Sequence, residues 1–418
     1  MKKLIAVALV LVLALSLVAC SSETNNTQGN KDVKIGVILV HDENTGYDEA
    51  HINGIKKALE NCGIPNDTDH VVWKYNVPEN EKCHDAATEL VEAGCTYIFS
   101  DSYGHQDHMR QAATENPDVV FASMTGDTAA LSGLKNFKNA FCNTYESRYV
   151  SGVVAGMKLQ ELVNDGKVAA DNMDENGNIK LGYVGAFPYA EVVSGYTAFF
   201  LGVRSIVPNV TMEVMYTNSW FDIDKEGAAA EALVAKGCVI IGQHADSTGA
   251  PAAVQKLQDA GTICYSIGYN IDMLPTAPTA ALTSATNVWS VFYKELFQAA
   301  MNGEEIASDW AKGYDDGAVA ITTLGPSCAA GTAEKVAEVE AALRDGSLKV
   351  FDTATFTVNG ETVTSAPCDM TIMDWATGTV AYQGETYEGI VDGAFEESTF
   401  RSAPYFTLRI DGIVEDAQ

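Results

Sequence analysis

Between Val210 and Met273 three short apolar runs alternate with two segments of helical spacing, and no other stretch restricts the fold as much. The run Val210 to Tyr216 meets the polar loop Thr217-Asn218-Ser219-Trp220-Phe221-Asp222, and a helical segment from Lys225 to Lys236 follows, stopped by Gly237. The run Cys238 to Ile241 meets Gln243-His244-Ala245-Asp246-Ser247-Thr248, and a second helical segment, Ala250 to Ala260, stops at Gly261. The run Thr262 to Ser266 then meets Tyr269-Asn270-Ile271-Asp272. Strands joined by crossover helices are parallel and wound right-handedly, so their loops leave at one carboxyl edge, where open α/β sheets bind ligands. Trp220, Asp222, His244, Asp246, Tyr269, Asn270 and Asp272 are therefore expected on one rim. A flat ring beside carboxylates, an amide and an imidazole suits a flat, polar small molecule.

The same succession fills the first third of the chain. A strand from Lys34 to Val40 precedes a helix from Tyr47 to Glu60, and a strand from Val71 to Tyr75 precedes a helix from Glu81 to Ala93. A strand from Thr96 to Phe99, the loop Ser100 to Gly104 and a helix from His105 to Glu115 come next, and a strand from Val119 to Ala122 leads into Ser123-Met124-Thr125-Gly126. Asn139 to Tyr145 reads as a crossing strand, followed by a helix from Ser147 to Leu162 in which Gly152 and Gly156 permit close packing. Lys180 to Val184 opens the second series, and a helix from Val288 to Met301 returns to the first. The fold class expected is α/β, with two doubly wound lobes joined by a hinge. One lobe takes 33–145 and 285–312, the other 146–284 and 313–418. Past Gly313 the chain turns β-like, and Asn359-Gly360 sits where a hairpin would place a type I′ turn.

The amino terminus reads as a targeting segment. Lys2 and Lys3 precede an apolar stretch from Leu4 to Leu17, and Leu17-Val18-Ala19-Cys20 has the form of a lipobox. Residues 1–20 are then a lipoprotein signal peptide, Cys20 the lipidated terminus and 21–32 a polar tether, leaving the chain at the outer face of a membrane. Eight further cysteines outside the cytoplasm permit disulfides, with Cys62–Cys83 and Cys328–Cys368 the simplest pairs. With 56 acidic and 26 basic residues the net charge is −30, which argues against nucleic acid as a partner.

Catalysis has little support. No nucleophile elbow, phosphate-binding loop or dinucleotide fingerprint occurs, and no Cys-x-x-Cys pair suggests a metal. His105 and His108 fall at i and i+3, but nothing accompanies them as further metal ligands. The start of Asp171 to Ile179 resembles a calcium loop, yet the twelfth position is Tyr183 rather than Glu, so a solvated turn is expected. His244 and Asp246 form a candidate acid–base pair without a nucleophile, better suited to hydrogen bonding a ligand. Tyr47 and Tyr103, in loops of the first series, are placed to meet an aromatic of the second across a planar ring.

Several strings together resemble one family. Gly182-Tyr183-Val184-Gly185-Ala186-Phe187-Pro188, Asn116-Pro117-Asp118-Val119-Val120-Phe121-Ala122, Tyr149-Val150-Ser151-Gly152 and Asn218-Ser219-Trp220-Phe221-Asp222 are similar to the basic membrane protein family. Gln243-His244-Ala245-Asp246-Ser247-Thr248 and Thr283-Ser284 extend the match, which runs from about Lys34 to Val319. These are substrate-binding lipoproteins of ABC importers. The resemblance implies a type I periplasmic-binding fold, a purine-type ligand between the lobes, no cofactor, and permease and ATPase partners for a monomeric receptor. It adds Asp48, Gly104, Thr125, Phe187 and Phe221 to the candidate ligand contacts. Nucleoside receptors of this kind carry Phe-Asn at Tyr47-Asp48, an Asp near Thr125, Gly-Val-Asp at Gly268-Tyr269-Asn270 and a Lys within 285–287. The Trp-Phe-Asp and Gln-His-x-Asp-Ser-Thr strings look instead like a branch associated with a free base, adenine. A sensor that uses the same cleft without transport and a nucleoside hydrolase are the alternatives.

Overall fold

A computed structural model describes residues 33–374 and 378–416, so Cys20 and the tether lie outside the described residues. Two sheets organise the molecule. The first has six strands, β1 (Ile35–Ile38), β2 (Val71–Lys74), β3 (Tyr97–Ser100), β4 (Val120–Met124), β5 (Phe137–Cys142) and β11 (Asp309–Lys312), in the order β11-β5-β4-β3-β1-β2. The second has seven: β6 (Ile179–Gly185), β7 (Val210–Tyr216), β8 (Ile240–His244), β9 (Tyr265–Tyr269), β10 (Ala281–Asn287), β12 (Val319–Ile321) and a C-terminal strand, Ile413–Glu415. Every pairing in the first sheet is parallel, and in the second only β12 runs antiparallel. The central strands are buried throughout, as the crossover helices on both faces require. This is the doubly wound, two-lobed α/β architecture that the alternating pattern predicts.

Three crossings join the sheets. The chain passes from β5 through Asn143 into the helix Thr144–Asn164, from β10 into the helix Ser290–Asn302, and from β11 to β12. β5 is thus an interior strand of the first sheet, and the crossing lies just after it rather than within it. The crossings bond to one another: Tyr314 N donates to Glu146 Oε2 at 2.6 Å, and Thr144 Oγ1 donates to Asn287 Oδ1 at 2.7 Å. The helix Ser290–Asn302 packs on Gly46–Cys62, the first helix of the first lobe.

Gly152 earns its place in the interior of Thr144–Asn164. A Cβ there would stand 2.1 Å from Phe199 O in the neighbouring helix Ala190–Arg204, so the two backbones meet directly.

Several expectations change. Past Gly313 the chain is not uniformly β-like, because Thr332–Arg344 is a helix burying Val336, Val339 and Leu343. Asn359 and Gly360 do adopt positive φ (54° and 82°), as a type I′ turn needs, but only the bridge Val358↔Glu361 flanks them and no hairpin of full strands forms. Neither expected disulfide is present, and all eight described cysteines are free. Cys62 points to Lys294 O at 3.9 Å, while Cys83 is sealed against His105 O at 3.9 Å. Cys328 donates to Leu282 O and Cys368 to Ala366 O, both at 3.3 Å. In the segment after Ala170, the Asp174 carboxylate accepts from Asn176 N and Asn178 N, which makes it a self-contained turn. Among the described residues no helix is long and apolar enough to cross a membrane.

Candidate functional site

The carboxyl edges of the two sheets face each other across a cavity of about 300 Å³, within the range of small-molecule sites. Its lining comes from the segments after β1, β2, β3 and β4 of the first lobe, and from those after β6, β7 and β8 and the end of β9 of the second. The lobes already touch beside it: a Cβ on Gly46 would lie 3.2 Å from Asp246 O, and the His41 and Phe221 rings are 6.0 Å apart.

Of the residues expected here, Tyr47, Asp48, Tyr103, Thr125, Phe187 and Trp220 line the cavity, as do Phe221, Asp246 and Tyr269. Gly104, Asp222, His244, Asn270 and Asp272 do not. Gly104 N donates to Glu79 Oε1 at 3.0 Å, and Glu79 itself is at the cavity. Asp222 caps the helix Ile223–Ala235 by accepting from Lys225 N. His244 and Tyr269 are the last residues of β8 and β9 rather than loop residues, and the expected strands end too early. His244 is consequently buried behind the wall. Asn270 is one layer back too, donating through Nδ2 to Asp246 Oδ1 at 2.8 Å. Asp272 is exposed and accepts from Leu274 N at 2.9 Å.

The first-lobe wall is a hydrogen-bonded lattice around two carboxyl groups. Asp48 accepts from His41 N at 2.7 Å and from Thr45 Oγ1 at 2.5 Å. Asp101 accepts from Val40 N at 3.0 Å, and its carbonyl accepts from Tyr47 Oη at 2.6 Å. Burial pushes the Asp48 carboxyl up, but the bonds from His41 and Thr45 outweigh it and hold it below the ordinary range. Asp101 goes the other way: burial and the neighbouring Asp48 charge push it well above that range, which favours its protonated form. Its Oδ2 is buried without a partner. His41 is raised by its hydrogen bond to Asp48. Thr125 sits at the wall with φ of 60°, a left-handed conformation uncommon for a β-branched residue, and such strain gathers at working sites.

The second-lobe wall is built from rings. Phe187 and Trp220 meet edge to face at 5.3 Å, and Tyr189 stacks on Phe187 at 5.1 Å. Trp220 O accepts from Asp246 N at 2.8 Å, which ties the loop after β7 to the loop after β8. Asn218 opens that first loop at φ of 53°, and its N donates to Ala186 O at 2.9 Å. Burial pushes the Asp246 carboxyl well above its ordinary range, with the Glu226 and Glu191 charges adding to it. That shift favours the neutral carboxyl, which can donate as well as accept.

Sequence reasoning missed His41, Glu79, Asp101 and Glu191 at the cavity. His41 and Asp101 follow strands directly, so the rule that placed Trp220 at a carboxyl edge applied to them as well. Glu191 reads locally as an acidic residue in the first turn of a helix, and nothing nearby in the chain marks it as a cavity residue. Lys and Arg are absent from the lining, whereas Asp48, Glu79, Asp101, Glu191 and Asp246 are all present. A ligand bearing phosphate would meet carboxyl groups and no cation. Among the described residues no group of three or more His, Cys, Asp or Glu is arranged to hold a metal, and His105 Nε2 instead lies 2.9 Å from Val77 O.

This arrangement has known counterparts. A purine-binding protein of Brucella abortus is 31% identical over 322 residues, covering 76% of this chain and 83% of that one. A Haloferax volcanii protein provisionally named an ABC transporter glucose-binding protein is 32% identical over 259 residues, 62% of this chain and 60% of that one. Among solved structures, an ABC transporter solute-binding protein from Aeropyrum pernix K1 shares the fold, with a TM-score of 0.61, 15% identity, and coverage of 76% of this chain and 93% of that one. The model of the family described as "ABC transporter substrate-binding protein PnrA-like" matches residues 34–346. The two facing carboxyl edges, the cavity between them and this match agree, and the chain belongs to the Bmp family of ABC transporter substrate-binding proteins.

Proposed function

We propose that this protein captures a free purine base between its lobes and delivers it to an ABC importer while anchored to the membrane through Cys20. Members of its family are solute-binding proteins rather than enzymes, act outside the cytoplasm, and work with permease and ATPase components. The observation that carries the purine is the pairing of surfaces. Aromatic rings (Tyr47, Phe187, Trp220 and Tyr269) offer faces for a planar heterocycle, while neutral and charged carboxyl groups offer both donors and acceptors to its edge. The purine-binding relative from Brucella supports the same reading.

A base rather than a nucleoside is favoured by what stands where nucleoside receptors hold the sugar. Thr125 replaces a carboxylate, and Asn270 is turned to Asp246 behind the wall. Closure then draws the lobe of the first sheet against that of the second, with residues 285–287 moving with β10 in the second and the crossings as the hinge.

The test is calorimetry on the full chain in detergent, unfolded and refolded to strip any bound ligand, then titrated with adenine, adenosine, guanosine, xanthine and glucose. Tight binding of adenine with at least tenfold weaker binding of adenosine is expected. Tight adenosine binding would replace the base reading with a nucleoside one, and binding of glucose alone would remove the purine. Labelling with a radioactive fatty acid in the native host tests the anchor, and a Cys20→Ser chain that still takes up label would refute it.

A further inference from the structure

Behind the second-lobe wall lies a polar group whose charge the cavity does not use directly. Glu191, in the first turn of the helix Ala190–Arg204, lines the cavity with a side chain 20% exposed. One of its oxygens is engaged, because His244 Nε2 lies 3.2 Å from Oε1. No hydrogen bond to its other oxygen is found among the described residues, and the side chain lines the cavity.

Arg148 reaches this place from the helix Thr144–Asn164 and is 1% exposed. Its Nη1 donates to Gln243 O at 2.5 Å, its guanidinium lies 3.7 Å over the Tyr269 ring, and Nε and Nη2 have no partner. No carboxylate stands within ion-pair distance of it among the described residues. A guanidinium cannot shed its proton, so a buried one acts on whatever is near. Burial pushes Glu191 up to about 7, and Arg148 limits that rise. Burial pushes His244 down and Arg148 pushes it further, which favours the neutral imidazole, and its Nε2 lies against Glu191 Oε1. Gly195 makes the room: a Cβ there would stand 2.5 Å from His244 Nδ1 and 3.5 Å from Arg148 Nε. The remaining groups facing Glu191 are Asp246, Glu397, Tyr47 and Tyr269, none of them cationic.

We infer that Glu191 is a specificity-determining acceptor for an N–H on the edge of a neutral heterocycle, and that Arg148 is the positioning residue that keeps this acceptor charged, making capture pH-dependent. The ligand class it deepens rests on the purine reading above. An oxo group turned to Glu191 would face a carboxylate, whereas an amino group or ring N–H would find an acceptor.

The test follows adenine affinity by calorimetry on the full chain from about pH 6 to about pH 8, over which adenine itself stays neutral. Wild type is expected to lose about tenfold in affinity as pH falls across that window. Glu191→Gln is expected to bind weakly with a flat profile. Arg148→Met should move the midpoint to higher pH, and Arg148→Lys should restore it. Carbon-13 NMR of glutamate-labelled, ligand-free protein, with Glu191 assigned by its loss in Glu191→Gln, reads the same midpoint without a ligand. A Glu191→Gln chain that retains the wild-type profile overturns the acceptor. An Arg148→Met chain that is weaker by the same factor at every pH, with an unmoved Glu191 resonance midpoint, overturns the positioning role. Wild type that binds no purine at any pH refutes the purine reading and the acceptor with it, while the NMR midpoint still decides the role of Arg148.

Discussion

The two walls of the cavity use the same device, loops at the carboxyl ends of parallel strands, but hold their polar groups differently. In the first lobe Asp48 and Asp101 are caught in a lattice of backbone and hydroxyl donors from Val40, His41 and Thr45, with Tyr47 fastened to the same loop. In the second lobe Asp246 has one side-chain donor, Asn270, and Glu191 has one, His244, while Phe187 and Trp220 supply area. A densely bonded wall is set before the ligand arrives. A wall of rings and singly held carboxyl groups has fewer bonds to rearrange, and the raised Asp246 carboxyl, in its neutral form, can present either a donor or an acceptor. On the proposed purine reading, the first lobe fixes position, and the second supplies contact area and selectivity.

That division can be broken in order of expected effect. Asp48→Ala should cost the most, about 3 kcal/mol of folding stability, because buried donors at His41 and Thr45 lose their acceptor together. Urea unfolding measures it, and a change below about 1 kcal/mol would mean that the lattice is not what holds this wall. Trp220→Ala should leave unfolding unchanged and weaken adenine binding by tenfold to a hundredfold, about 1.4 to 2.8 kcal/mol. Asp246→Ala should weaken it by at least tenfold, about 1.4 kcal/mol. Unaltered affinity in both would remove the second lobe from ligand recognition.

A pH series sharpens the comparison for the whole molecule. Burial pushes Glu146 and Glu226 up to about 7 and Glu397 up to about 8. Carboxyls raised on folding bind protons more tightly in the folded state, so their contribution is complete below the unfolded range and is lost as pH rises through 7 to 8. His41, raised by Asp48, changes in the same direction. The melting temperature should therefore fall between about pH 5 and about pH 8, and a rise over that window would contradict these assignments. The smallest effect belongs to Asp222→Ala. It should lower the melting temperature slightly through loss of a helix cap and leave ligand affinity as it was, since Asp222 is bonded to Lys225.

Much of this was legible in the chain itself. Alternating apolar runs and helical segments dictate parallel sheets, parallel sheets dictate where loops emerge, and that logic placed Tyr47, Tyr103, Trp220 and Asp246 at the cavity, while Asp48 came from the family resemblance. It erred at strand ends, where an apolar run does not show where pairing stops. His244 and Tyr269 continue β8 and β9, and this extension of the strands takes the His244 imidazole out of the rim. The free cysteines show the same limit, since a compartment that permits disulfides says nothing about which thiols meet.

The sequence by itself determined the two-lobed α/β order and the aromatic and acidic character of the rim, because these follow from periodicity and local composition, while its resemblance to a family rested on particular strings of residues. Only the tertiary structure decided that burial beside Asp48 raises the Asp101 carboxyl, that Glu191 reaches the cavity and that Arg148 stands behind it. On the chain Arg148 is an ordinary helix cation and Glu191 an ordinary first-turn acid. They are brought together because Gly152 lets the helices Thr144–Asn164 and Ala190–Arg204 meet backbone to backbone, so buried charges from distant positions share one low-dielectric space.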